Sequence, residues 1–145
     1  MITKGVKELC EHAETIIETW TVEQAKEHYG NDDVVFVDIR DIRELWRDGA
    51  VPGAMHSPRG MLEFWVDPNS PYAKEEFQSG KRFMFFCAGG LRSALAALAV
   101  HDMGLAPVCH LEGGYRAWKE AGGEVAEVVG EVGVVSADEA FPGEV

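Results

Sequence analysis

Cysteine is scarce in this 145-residue chain, and the three present, Cys10, Cys87 and Cys109, stand far apart with no CxxC pair. That spacing argues against a disulfide framework and against a structural zinc site, both of which need paired thiols. Long apolar runs are missing as well. The opening stretch MITKGVKELCEHAETIIETW carries a charge every few residues, so it has neither the apolar core of a secretory signal nor the length of a membrane span. A cytoplasmic protein with no membrane contact is the expectation. Basic residues are in deficit, 13 Lys and Arg against 25 Asp and Glu, for a net charge of −12. A field of that sign repels polyanions, which removes nucleic acid from the expected partners. Residues 120–145 hold seven carboxylates and no Lys or Arg, the composition of a solubilising acidic tail, with a docking surface for a basic partner as the minority reading.

What is present is the ordinary balance of a folded protein, 46% apolar and 26% charged residues, in a chain with room for one core. Val6, Leu9, Cys10, Ala13, Ile16 and Ile17 recur at helical spacing, which predicts an amphipathic helix over about 5–18 with Cys10 buried on its apolar stripe. Thr21 followed three residues later by Gln24 is a capping box for a second helix that ends near Gly30. Val34–Ile39 and Phe83–Phe86 are short apolar runs of the kind covered on both faces in parallel sheets. Pro107–Leu111 is a third, with Cys109 as core. Helices are expected at 40–47, 59–66, 91–103 and after Gly113-Gly114, with a short strand at 54–56. Strands alternating with helices imply an α/β fold, a mostly parallel central sheet with helices on both faces. Ligands of such sheets sit beyond the strand C-termini, where Asp38 and Cys87 both fall.

The segment Cys87-Ala88-Gly89-Gly90-Leu91-Arg92-Ser93 joins a buried strand to a helix N-terminus, where unpaired backbone N–H groups and the helix dipole favour negative charge. Its glycines let the backbone turn those N–H groups inward around an anion. A thiol at the mouth of such a cradle is set up to give away its proton and act as a nucleophile. Arg92 adds a planar fork suited to an oxyanion. Read on its own, a buried cysteine followed by a routine glycine turn is the rival explanation, and Arg92 weighs against it.

Four segments in this order resemble the rhodanese (sulfurtransferase) family over about residues 20–123: Val37-Asp38-Ile39-Arg40, Gly49–Ala54, the loop Cys87–Ser93, and Glu112–Trp118. The resemblance implies a rhodanese-like three-layer sandwich. It divides the chain into an N-terminal helical extension packed on the domain (1–19), the rhodanese-like domain (20–123), and an acidic tail or added strand (124–145). It also implies the chemistry. Cys87 would take a sulfane sulfur from a donor such as thiosulfate as a persulfide and pass it to cyanide, a thiol or a partner protein, with no cofactor beyond the covalent sulfur. Ala88, Gly89, Gly90, Leu91 and Ser93 would supply the cradle, and Arg92 would orient the donor or leaving sulfite. Arg59 is a weaker candidate for the pocket wall, being equally suited to a solvated surface. Asp38 and Arg40 read as scaffold supporting the site, and His56 as a turn histidine without metal-ligand spacing.

Two other classes stay open. One is a non-catalytic rhodanese-homology module that binds or regulates a partner. The other is a phosphatase, since the dual-specificity phosphatases that activate cell-cycle kinases share the fold. Those enzymes place five residues between Cys and Arg, whereas here only Ala88–Leu91 separate Cys87 from Arg92. The shorter loop makes a tighter cradle, suited to sulfur more than to a phosphoryl group.

Overall fold

Parallel strands in the order β1-β5-β4-β2-β3 build the central sheet in the computed structural model of the chain, which describes residues 1–129. The strands are β1 (Glu18–Trp20), β2 (Val34–Asp38), β3 (Met55–His56), β4 (Arg82–Phe86) and β5 (Val108–Leu111). Between and around them lie α1 (Val6–Ile16), α2 (Val22–His28), α3 (Ile42–Asp48), α4 (Leu62–Val66), α5 (Leu91–Asp102) and α6 (Gly114–Glu120). Every pairing of these strands is parallel. This is the α/β sandwich expected from the alternation of apolar runs and helical periods.

The central strands are mostly apolar because both their faces are covered, and their alternating side chains feed two cores. Phe83, Phe85 and Cys87 point to one side with Val37 and Ile39, against Leu62 and Trp65 of α4 and Ala96, Ala97 and Val100 of α5. Met84 and Phe86 point to the other with Phe36, Cys109 and Leu111, against Val22 and Ala25 of α2 and Tyr115 and Trp118 of α6. Helix α1 packs outside α5 through Cys10, Ala13 and Ala94, small side chains that let the two backbones approach.

Several boundaries differ from expectation for local reasons. Strand β1 was not foreseen: three residues, Glu-Thr-Trp, carry too little pattern, and its identity comes from pairing with β5 at the sheet edge. Residues 59–66 begin as a 3-10 turn over Arg59–Met61 and become α-helical only from Leu62. Pro58 ahead of the turn and Gly60 within it suit that tighter start. Helix α3 starts at Ile42, because Asp41 and Glu44 form a capping box of their own. The predicted box on α2 is formed, with Gln24 N–H donating to Thr21 Oγ1 at 3.2 Å and Thr21 N–H to Gln24 Oε1 at 2.8 Å.

Of the segment read as tail or added strand, residues 130–145 lie outside the described part. Ala126 exchanges two backbone hydrogen bonds of 2.9 Å with Ala50, an isolated antiparallel bridge. Among the described residues no helix is long and apolar enough to cross a membrane.

Candidate active site around Cys87

Cys87 follows the last residue of β4 and continues the Phe83/Phe85 face, so strand alternation turns its side chain toward α5. It is buried, with 1% of its surface exposed. Gly90 N–H donates to its sulfur at 3.1 Å, and the Sγ lies 3.6 Å from Ser93 Oγ in the first turn of α5. The loop is therefore wrapped around the sulfur by backbone, as the glycine content suggested.

The loop's outer side is fastened by the helix that follows β5. Tyr115 N–H donates to Cys87 O at 2.8 Å and Arg116 N–H to Ala88 O at 3.1 Å. These two carbonyls are thereby turned back toward α6, while the Gly90 N–H faces the sulfur on the loop's inner side. The fit tolerates no side chain at Gly114: a Cβ there would meet Cys87 O and come within 2.8 Å of Ala88 C and O, and its φ of +60° is left-handed. Gly90, at φ +105°, packs against Gly113 in the same way, its hypothetical Cβ 3.1 Å from Gly113 N. Gly90, Gly113 and Gly114 thus belong to one close backbone crossing.

Arg92 stands beside the loop, but its fork is engaged. Nη1 and Nη2 donate to the two carboxylate oxygens of Glu44 at 2.8 and 3.0 Å. These hydrogen bonds hold the Glu44 carboxyl below its usual range and push the guanidinium further toward the charged form. Glu44 is the same residue that closes the α3 capping box. Arg59 is likewise paired, with Glu63 one helical turn on at 2.8 Å, while its backbone N–H donates to Ile39 O at 3.2 Å beside the sheet rim.

Asp38 and Arg40 form a buried salt bridge. Arg40 Nε donates to Asp38 Oδ1 at 3.0 Å and Nη2 to Oδ2 at 2.7 Å. Nη2 also reaches Gly49 O at 2.9 Å, and the guanidinium lies 4.1 Å from the centre of the Tyr115 ring. The pair therefore joins β2, the end of α3 and α6 into one block. His56 Nε2 contacts Arg40 O at 2.7 Å, a backbone anchor.

Two residues that sequence reasoning did not select continue in series from Ser93, the thiol's neighbour. His110, in the middle of β5 and 1% exposed, places Nδ1 2.9 Å from Ser93 Oγ and Nε2 2.7 Å from Glu14 Oε2 of α1. Burial pushes the imidazole below its ordinary value of 6.5, while the hydrogen bond and charge of Glu14, and the charge of Glu112, act the other way. A histidine interrupting the apolar run Pro107–Leu111 was the one available signal. Its partners are 17 and 96 residues distant in sequence.

The other thiols are placed differently. Burial pushes Cys109 up to about 12, and burial with nearby Glu14 raises Cys10, whose Sγ lies 3.4 Å from Leu91 O. Among the described residues no group of three or more His, Cys, Asp and Glu side chains is arranged to hold a metal ion.

Comparison with known proteins follows the same lines. The model of the family described as Rhodanese-like domain matches residues 21–121. A mouse protein, thiosulfate sulfurtransferase/rhodanese-like domain-containing protein 3, is 25% identical over 103 residues, 68% of this chain; the chain spans only 66% of that relative's length. A solved structure from Rhodopseudomonas palustris, a protein of unknown function described as a possible tyrosine phosphatase, is 55% identical with a TM-score of 0.85, covering 87% of this chain and 97% of the other. Thiosulfate sulfurtransferase from Pseudomonas aeruginosa superposes with a TM-score of 0.70 at 22% identity, over 84% of this chain and 23% of that one. At that identity the likeness is one of fold.

Proposed function

The chain belongs to the rhodanese-like domain family, and on that footing we propose that it is a sulfurtransferase with Cys87 as its nucleophile. The observation that carries this reading is the loop itself: a sulfur at a strand end, a Gly90 N–H aimed at it from 3.1 Å, and a helix N-terminus beyond. A backbone donor fixed in advance beside the sulfur, at the N-terminus of a helix, stabilises negative charge that develops there.

With thiosulfate as donor, the Cys87 thiolate attacks the outer sulfur. A Cys87 S–S bond forms, the donor's S–S bond breaks, and sulfite leaves with the electron pair. The anionic persulfide then gives its terminal sulfur to a thiophilic acceptor, cyanide or a thiolate on a small molecule or protein, and the Cys87 thiolate returns. The sulfur rides covalently on Cys87, so these steps draw on no cofactor. Arg92 would meet the departing sulfite only by sharing or releasing Glu44. Arg59 would do so only by leaving Glu63.

A second reading is phosphoryl transfer to the same thiolate, favoured by the description of the relative from Rhodopseudomonas palustris. Four residues between Cys87 and Arg92 speak for the smaller cargo. A purely binding role is the third reading, in which Cys87 would be dispensable.

Incubation with thiosulfate followed by intact-mass measurement decides among them. The expected result is a gain of one sulfur atom on Cys87, discharged by cyanide and absent in Cys87→Ser. No gain would sink the sulfurtransferase reading. Hydrolysis of an aryl phosphate lost in the same variant would install the phosphatase reading instead.

A further inference from the structure

A thiol closed off from solvent has to lose its proton before it can attack anything, and the buried surroundings of Cys87 offer one continuous polar path. We propose that Ser93, His110 and Glu14 form a proton relay from the Cys87 thiol to the protein surface, with His110 as the positioning residue that receives the proton. The proposal rests on the sulfurtransferase reading for its purpose, but its geometry stands independently.

The direction of the relay follows from what each group can donate. The Glu14 carboxylate can only accept, so His110 Nε2 carries the hydrogen across the 2.7 Å contact. The neutral imidazole then presents Nδ1 as an acceptor, and the Ser93 hydroxyl donates to it at 2.9 Å. Ser93 Oγ is thereby left with its lone pairs facing the Cys87 sulfur, 3.6 Å away, ready to accept from S–H. Each donor in the series points one way, outward.

On ionisation the Cys87 S–H bond breaks and its proton passes to Ser93 Oγ, while the hydroxyl's own proton moves to His110 Nδ1. Thiol plus imidazole become thiolate plus imidazolium. Glu14, with 41% of its side chain exposed, faces the imidazolium from α1 and connects it to solvent. Glu112, just past β5, is the other charged group acting on His110. Burial keeps the ring neutral beforehand, the form that can receive. The same strand geometry makes the alignment possible: His110 pairs in register with Phe85, so it shares the sheet face onto which Cys87 opens two residues further along.

The relay is tested by the rate of Cys87 alkylation with iodoacetamide in the full chain, resolved from Cys10 and Cys109 by peptide mass spectrometry. At about pH 7, His110→Gln and Ser93→Ala are expected to slow alkylation roughly tenfold and Glu14→Gln roughly threefold, whereas at about pH 10 all should react as the parent does. A merely structural role would lower the rates at both pH values, or at neither, and either pattern overturns the relay. Glu14→Gln, at a half-exposed site, guards against a His110 variant that does not fold. A second measurement leaves Ser93, His110 and Glu14 intact: the imidazole nitrogens of His110, followed by NMR in isotope-labelled protein, should titrate at lower pH after Cys87→Ser removes the thiolate partner. An unmoved His110 titration overturns coupling between the two. Alkylation requires no sulfur donor, so a shifted profile without persulfide formation supports the relay and removes sulfur transfer, while persulfide formation with an unshifted profile does the reverse.

Discussion

The ends of β2 and β4 lie side by side, Asp38 opposite Phe86, and they solve the same problem in opposite ways. Both are buried parallel strands that run into a helix at the rim where such sheets hold their ligands. After β2 charge is paired inside the protein, with Arg40 Nη1 left without a partner among the described residues: Asp38 takes three hydrogen bonds from Arg40's side chain and one from its backbone N–H, and Arg40 goes on to Gly49 O and the Tyr115 ring. After β4 the chain carries glycines, pins two of its carbonyls behind it, and turns the Gly90 N–H toward one sulfur. One rim is closed with charge. The neighbouring rim is lined with backbone, and its rigidity is borrowed from the first, because Tyr115 both stacks on Arg40 and holds Cys87 O through its backbone N–H.

The sharpest way to break this contrast is on the closed side. Arg40→Met should destabilise the fold by about 3–5 kcal/mol, measured by urea unfolding, because it strands the Asp38 carboxylate in the core without its partner. Persulfide formation should fall with it as the Tyr115 support loosens. A change under about 1 kcal/mol would show that the pair is not what secures the rim.

A smaller effect separates the β4 side by pH. His110 is held below its ordinary 6.5, chiefly by burial, so the unfolded chain binds its proton at a higher pH than the folded chain does. The stability linked to that difference is complete above about pH 6.5 and is lost as the pH falls through the folded value. Parent protein minus His110→Gln should therefore show unfolding free energy declining below about pH 6.5, by no more than about 1.4 kcal/mol per pH unit. A flat difference curve would mean that Glu14 offsets burial completely.

The smallest change in stability is expected at Arg92. Its pair with Glu44 is bidentate, but 44% of the Arg92 side chain is exposed, so Arg92→Ala should cost no more than about 1 kcal/mol in urea unfolding. A cost near that of Arg40→Met would place both rims in one class and erase the comparison.

How much of this could be read beforehand follows the range of each interaction. The Thr21/Gln24 capping box, the β2 and β4 runs and the glycine loop are written within a few residues of one another, and local pattern was enough to find them. The pairing of Asp38 with Arg40 was legible for the same reason, the two being two residues apart. The hold of Glu44 on Arg92 spans 48 residues, and that of Glu14 on His110 spans 96. Both depend on how α1, α3 and α5 settle on the sheet, which no periodicity specifies. Arg92 was read as free to meet an anion, since nothing near it in sequence announces a carboxylate partner.

Strand β1 carries one consequence for modularity. The residues matched by the family model begin at 21, yet the edge strand Glu18–Trp20 and the helix bearing Glu14 come before that point. A fragment trimmed to the matched residues would retain all four family motifs and expose β5 as a bare edge, with His110 stripped of its acid. Such a piece would be recognisable as a relative by every motif it carries and still be a different chemical object at its centre.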